Sequence, residues 1–458
     1  MSKIVLKPYQ QQVLDELEFL PSVALFLGTG SGKTYTSLFK AKQNKTKNLL
    51  VVCPANVVNQ WHKSITEVLP NLHQVKFRKS QSAKMKNKSL YDLEGDGHVV
   101  VVSLQILYKL SALLQIINND WTIIIDESHK IKELGTRRNP VKVTQMALKL
   151  GELTEYKILL TATPTQKEHG GYIDYYTQLR FLGYVKMTQS DFEDRYCRIR
   201  QIVLPGRPYP IPKIIGYKNT HEIDDLLSVI AKRYVPKFVD GDPVLIKVDI
   251  DTTPRYKKFE RERFYNELNV QNLTAMRIAR KTLVGGIISG RDMYGEPVKY
   301  VDNTHKRDWV SEFLSNTDET IVIFYKYNVE LEQLEDVCKE LNKKYIVLNG
   351  ANKNKTEDIS NKDYEVVLGQ INACGESVDG LQYKSHIVVY YAMPESSLEY
   401  KQSMGRIDRV GQVHLPIYYH LVMQNTVDAD IYQMTLNKVE FNEKVLNRLN
   451  IDFEMEDE

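Results

Sequence analysis

The sequence predicts an α/β protein built from two doubly wound parallel-sheet domains with a helical/irregular insertion between them. Three observations carry that prediction. From the N-terminus to about Gly183, short β-branched runs alternate with amphipathic segments, which implies βαβ units. A second series of the same kind runs from about Asn303 to Lys438. The stretch between them breaks the alternation.

In the first series the runs are Val23–Leu27, Leu49–Cys53, Val99–Ser103, Ile123–Ile125 and Ile158–Leu160. Each is short, apolar throughout and bounded by polar residues, as in strands covered on both faces. Helices are predicted over Lys33–Lys42, Val57–Val68 and Arg138–Gly151. The second series supplies Thr320–Phe324, Lys344–Leu348, Tyr364–Leu368, His386–Tyr391 and Ile417–Leu421. Between them, Leu204–Lys213 (LPGRPYPIPK) carries four prolines and reads as an extended loop. Pro254–Leu268 and Val270–Leu283 read as polar, basic helices. The expected organisation is therefore 1–183, 184–302, 303–447 and a short acidic tail, 448–458.

Composition narrows the function. Of 458 residues, 42% are hydrophobic and 26% charged, which excludes collagen-like, disordered and disulfide-scaffold classes. The 61 Lys+Arg and 58 Asp+Glu leave a net charge of +3, too small for a uniformly basic binder but compatible with a local basic groove. The four cysteines form no CxxC pair, so reduced thiols in the cytoplasm are expected rather than a zinc site. No apolar run approaches the roughly 18 residues of a membrane helix, and the first residues have no signal-peptide pattern.

Two segments carry chemistry. Leu27–Thr34, LGTGSGKT, stands directly after a β-run and before a helical pattern. Glycines there let backbone N–H groups approach phosphate oxygens, and the helix N-terminus adds partial positive charge. Gly28, Thr29, Gly30, Ser31 and Gly32 would cradle phosphates, Lys33 would reach the β and γ groups, and the Thr34 hydroxyl would ligate Mg²⁺. Leu27 stands where the full GxxxxGK[ST] pattern has its first glycine, and a plain glycine-rich turn is the alternative. The second segment is Asp126–His129, DESH, at the end of a buried run, where open α/β sheets bind ligands. Asp126 would hold Mg²⁺ and Glu127 would activate the attacking water. An acidic pair that merely caps a helix is the alternative, and the upstream phosphate loop disfavours it.

Together, LGTGSGKT and DESH resemble motifs I and II of a superfamily 2 helicase-type ATPase, and further segments resemble its Swi/Snf branch. LKPYQ (Leu6–Gln10) is similar to the element preceding motif I, which implies that Gln10 reads adenine. VVCPANVVNQW (Val51–Trp61) resembles motif Ia, LLTATPTQ (Leu159–Gln166) motif III, and Ile321–Tyr325 motif IV. QSMGRIDRVGQ (Gln402–Gln412) resembles the motif VI pattern QxxGRxxRxGQ. The resemblance is in order along nearly the whole chain. It implies two RecA-like domains that use ATP and Mg²⁺, with Arg409 as arginine finger and Arg406 and Gln402 beside it. Arg406 and Arg409 are three apart, so on a helix they share one face. His129 would link motif II to the second unit or to motif III, and Thr161, Thr163 and Asp379 would couple ATP to movement. NACGESVDG (Asn372–Gly380) departs from the family's motif V, with Ser377 where glycine is common.

DNA contacts are expected at Pro54, Ser103, Arg277, Arg280 and Lys281, with the basic segments Lys40–Lys47 and Arg78–Lys88 as further candidates. A motor that steps along any sequence must grip phosphates rather than bases. The expectation is a monomeric, cytoplasmic, DNA-dependent ATPase acting on duplex DNA, with replication or recombination proteins as partners, in a bacterium or phage. A strand-separating helicase, an RNA helicase and a non-hydrolysing scaffold are the competing readings. The RNA reading is disfavoured by DESH and the RVGQ tail of motif VI. The scaffold reading is disfavoured because Lys33, Asp126, Glu127 and Arg409 are all present.

Overall fold

The computed structural model describes residues 4–447, apart from 29, 79, 137–138, 166–170, 203–208, 235–238, 263, 266–267, 270–272, 292–296, 352–354, 375–377 and 379; side chains within 260–277, 289–297, 355–357 and 438–447 and at 372 also lie outside the description. The chain divides into two compact units, Met1–Pro236 with Glu440–Glu458, and Lys237–Val439.

The first unit is organised by β1 (Ser22–Leu25), β2 (Asn48–Cys53), β3 (His73–Val75), β4 (His98–Ser103), β5 (Trp121–Asp126) and β6 (Lys157–Leu160). A hairpin follows, β7 (Cys197–Ile202) and β8 (Ile211–Tyr217), and then β9 (Ala231–Lys232). Seven of these form one sheet in the order β3-β4-β2-β5-β6-β1-β9, every neighbouring pair parallel. Alternate residues feed opposite faces: Leu50 and Val52 join one core, Leu49, Val51 and Cys53 the other. Helices cover both faces, and this is why the strands are apolar throughout rather than alternating.

The second unit holds β10 (Val244–Ile250), two short antiparallel pairs, β11 (Phe264–Tyr265) with β12 (Leu268–Asn269) and β13 (Ile287–Arg291) with β14 (Pro297–Val301), and then β15 (Ile321–Tyr325), β16 (Tyr345–Leu348), β17 (Val366–Gln370), β18 (Ile387–Tyr390) and β19 (Ile417–Met423). Its parallel sheet has the order β10-β19-β18-β15-β17-β16. Again the faces alternate, with Ile321 and Ile323 in one core and Val322 and Phe324 in the other.

The middle stretch differs from a purely helical or irregular insertion. β9 pairs with β1 and β10 with β19, so 184–302 contributes an edge strand to each sheet. Residues 211–213, the end of the expected proline loop, begin β8. Its partner strand supplies the ladder, and Pro212 sits opposite Gln201 in a two-stranded ribbon, where the missing N–H faces no third strand.

Candidate ATP site and basic surfaces

All strands of the first sheet run the same way, so their C-terminal ends share one edge. Register sets the site: Leu25 lies beside Leu160, and Leu160 beside Asp126. The segments that follow β1, β5 and β6 therefore emerge side by side, and these are the phosphate loop, DESH and TAT.

The loop is tightly held. Gly30 and Gly32 have φ of 75° each, a conformation that favours glycine, and Gly32 leads into the helix Lys33–Gln43. A Cβ on Gly32 would fall 2.5 Å from Gln10 Nε2. The Lys33 ammonium donates to the carbonyls of Leu27 and Gly28 at 3.0 Å each. Ser31 Oγ donates to Gly28 O at 2.6 Å, and Gly28 N–H donates to Tyr234 O at 2.8 Å. Thr34 is half-buried at the first turn of the helix. Thr29 lies outside the described residues.

Gln10 is buried, and its amide is used on both sides. Nε2 faces Ser31 O, Gly32 O and Thr36 Oγ1 at 3.1, 3.3 and 3.2 Å, and Oε1 accepts Lys7 N–H at 2.9 Å. In this arrangement Gln10 grips the loop, and its Oε1 keeps a further lone pair. The Tyr9 hydroxyl adds a 2.6 Å bond to Ser31 O.

Asp126 accepts Trp61 Nε1–H at 3.0 Å on one oxygen and Glu127 N–H at 2.9 Å on the other. Burial, together with the neighbouring Glu127 carboxylate, pushes its carboxyl above the usual range. Glu127 goes the other way. Burial alone would raise it, but the hydrogen bond from His129 and the charges of Lys33 and Lys130 outweigh burial and hold it low. Glu127 also has φ of 53°, which costs a non-glycine residue about 1–3 kcal/mol. Two adjacent carboxyls thus have opposed protonation tendencies, the pattern that separates roles at catalytic sites.

His129 Nδ1 lies 3.2 Å from Glu127 Oε2 and 3.1 Å from Thr161 Oγ1, which accepts Thr163 N–H at 3.1 Å. His129 therefore meets the TAT segment within its own unit. A second link was not visible in the sequence: Ser128 Oγ donates to Gln178 Oε1 at 2.9 Å, while Gln178 Nε2 donates to Pro164 O at 2.9 Å. Trp61 was also missed, although a buried indole needs an acceptor and so gave a usable signal. We expect Trp61→Phe to cost about 1–3 kcal/mol of stability by leaving the half-buried Asp126 carboxylate short of a donor. It should also raise the Mg²⁺ concentration that half-saturates turnover. An unchanged melting temperature and Mg²⁺ dependence would contradict this role.

In the second unit the expected helical face is corrected. The helix Ser397–Met404 carries half-buried Gln402 but stops at Gly405, so Arg406 and Arg409 lie in the turns that follow. Fully buried Ile407 pulls the chain inward between them. Arg406 Nη1 donates to Val378 O at 2.9 Å, beside the motif V segment. Asp379 lies outside the described residues.

The expected DNA contacts separate. Lys281 is buried and ion-paired with Glu395 at 2.6 Å, because a buried ammonium needs a partner; it is not a free phosphate contact. Arg280 is half-buried on the same helix, Leu273–Val284, and the Arg277 side chain lies outside the described residues. Lys40–Lys47 is not a basic loop. The helix runs to Gln43, Lys40 is buried and donates to Leu17 O at 2.8 Å, and Lys47 pairs with Asp120 at 2.8 Å. Pro54 is buried at the end of β2. Ser103 instead lines an open cavity of about 820 Å³ with His62, Lys63, Lys76, Arg78 and Lys86, and no carboxylate is among the lining residues.

Residues 21–242 match the SNF2-related domain. That segment, just under half of the chain, is similar to the SNF2-related family. The chain is 22% identical over 433 residues to the SWI/SNF-related regulator of chromatin subfamily A-like protein 1 of Drosophila melanogaster, covering 91% of this chain and 52% of that protein. It is 21% identical to the ATP-dependent helicase YqhH of Bacillus subtilis, covering 92% of this chain and 75% of that one. It is 22% identical to protein p41 of Acyrthosiphon pisum secondary endosymbiont phage 1, covering 94% and 96%. The chain thus spans about half the length of the fly relative and nearly all of the phage one. Among its described residues, no helix is long and apolar enough to cross a membrane.

Proposed function

We propose that the chain is an ATP-driven motor on DNA, hydrolysing ATP at the first unit's strand edge and moving along duplex DNA through phosphate contacts. The observation that carries it is the convergence of Lys33, Asp126, Glu127 and the His129–Thr161 link at one sheet edge. Asp126 and Thr34 would hold Mg²⁺, which supplies neutralising charge to the phosphates. The half-buried Asp126 carboxyl suits it, since each oxygen accepts one N–H and keeps a further lone pair. Lys33 exchanges its two carbonyl partners for phosphate oxygens, a stronger charge-assisted pairing. Glu127, held ionised, takes the proton of the attacking water, and His129 fixes its direction. Arg409 and Arg406, with Gln402, contribute from the second unit, Arg409 as the arginine finger, a role associated with about 10³–10⁵ in rate. Thr161, Thr163 and Asp379 couple hydrolysis to movement.

The basic cavity beside Ser103 supports backbone contacts to nucleic acid, because its described lining holds cations and no carboxylate, which suits phosphates irrespective of sequence. The proposed setting is DNA replication, recombination or repair in bacterial or phage-infected cytoplasm, as a monomer. Similarity to a phage protein supports the phage part of that setting. The test is ATPase rate against added duplex DNA, single-stranded DNA and RNA, for the wild type and Arg409→Ala. We expect low activity alone, strong stimulation by duplex, less by RNA, and none in the variant despite retained ATP and DNA binding. A wild-type rate indifferent to DNA, or a variant still stimulated, would sink the reading.

A further inference from the structure

The hairpin of β7 and β8 belongs to neither large sheet. It is anchored at its base: Cys197 is buried, Ile214 and Tyr217 pack on the core, and the Tyr217 ring lies 5.4 Å from that of Tyr172. Register then sorts its side chains. Cys197 pairs with Tyr217 and, past a bulge, Ile199 with Ile214; Cys197, Tyr217 and Ile214 lie against the core, while Ile199 is exposed. Arg198 pairs with Gly216 and Arg200 with Lys213, so Arg198, Arg200 and Lys213 share the opposite face. All three are exposed. None has an ion pair or side-chain hydrogen bond among the described residues, and the sequence has no Asp or Glu from Arg195 to His221.

Arg200 and Lys213 are like charges directly opposite each other. Such a pair weakens a two-stranded ribbon unless an anion lies across both. A ribbon is also narrow enough for a groove of B-form DNA. We propose that the outward face of this hairpin, through Arg198, Arg200 and Lys213, is a docking surface for the phosphate backbone of duplex DNA. The surface rests on the DNA-motor reading and adds to it residues that belong neither to the strand-edge site nor to the lining of the Ser103 cavity.

The experiment is duplex-DNA affinity as a function of salt, for the full chain and a triple variant, Arg198→Gln/Arg200→Gln/Lys213→Gln. A second triple, Lys339→Gln/Lys344→Gln/Lys362→Gln, removes the same charge from ion-paired surface positions of the other unit. Each lost phosphate contact lowers the slope of log affinity against log salt by about 0.9, so the hairpin triple should lower it by about 2–3 and weaken binding about tenfold or more. The control triple should change the slope by less than about one. The conservative pair Arg198→Lys/Arg200→Lys should bind like the wild type, which separates lost charge from a misfolded ribbon. If the hairpin and control triples match while the wild type binds duplex DNA, the hairpin proposal is overturned and the motor reading stands. If the wild type itself shows no salt-dependent duplex binding, the motor reading falls first. Equal or larger losses on single-stranded DNA or RNA would overturn the duplex assignment.

Discussion

Lys33→Ala should reduce ATP turnover at least tenfold with saturating DNA, and by as much as about 10²–10³, the usual effect of deleting a group that stabilises charge developing in the transition state. The ammonium sits at 3.0 Å from both Leu27 O and Gly28 O, so the loop already holds it at its inner edge, where phosphate oxygens would arrive. Gln10, Tyr9 and Tyr234 hold the loop by bonds that do not involve Lys33. The variant should therefore fold with nearly unchanged melting temperature, and the loss should appear in nucleotide binding and turnover. A rate above about a tenth of the wild type would refute the assignment.

Glu127→Gln should leave ATP affinity within about threefold while turnover falls by about 10²–10⁴, the range for removing a general base. The amide keeps the shape of the carboxylate but cannot take a proton. Because the Glu127 carboxyl is held below its usual range, it stays ionised at neutral pH. The sign follows: lowering pH from 8 towards 6 should not remove activity through Glu127, and loss by its protonation comes only at lower pH. Nucleotide titration and single-turnover hydrolysis separate the two effects. Equal losses in affinity and rate would count against the proton-accepting role.

Much of the nucleotide edge was legible because the chemistry there is local. GSGKT needs positive-φ glycines next to a helix start, and Gly30 and Gly32 show that conformation. Strands such as Leu49–Cys53 stood out because burial on both faces leaves an unbroken apolar run. The hairpin did not stand out, since its prolines and arginines resemble a loop until the pairing partner is known. Lys281 was misread for a related reason: a lysine in a basic-looking helix gives no sign of the Glu395 that lies over a hundred residues away in sequence.

The sequence by itself determined the two α/β series, the glycine turn that opens a helix and the acidic pair at a strand end, because each depends on residues adjacent in the chain. Only the tertiary structure decided what surrounds them. It brought Trp61 to Asp126, Gln178 between Ser128 and Pro164, and Gln10 onto the phosphate loop. It ended the motif VI helix at Gly405, before both arginines, and it gathered Arg198, Arg200 and Lys213 on one face of a ribbon. The physical reason is common to these cases. A buried polar group must find a partner, and an exposed one keeps its charge for solvent or ligand. Which of the two applies depends on strand register and burial, and both are set by contacts between segments far apart in the chain.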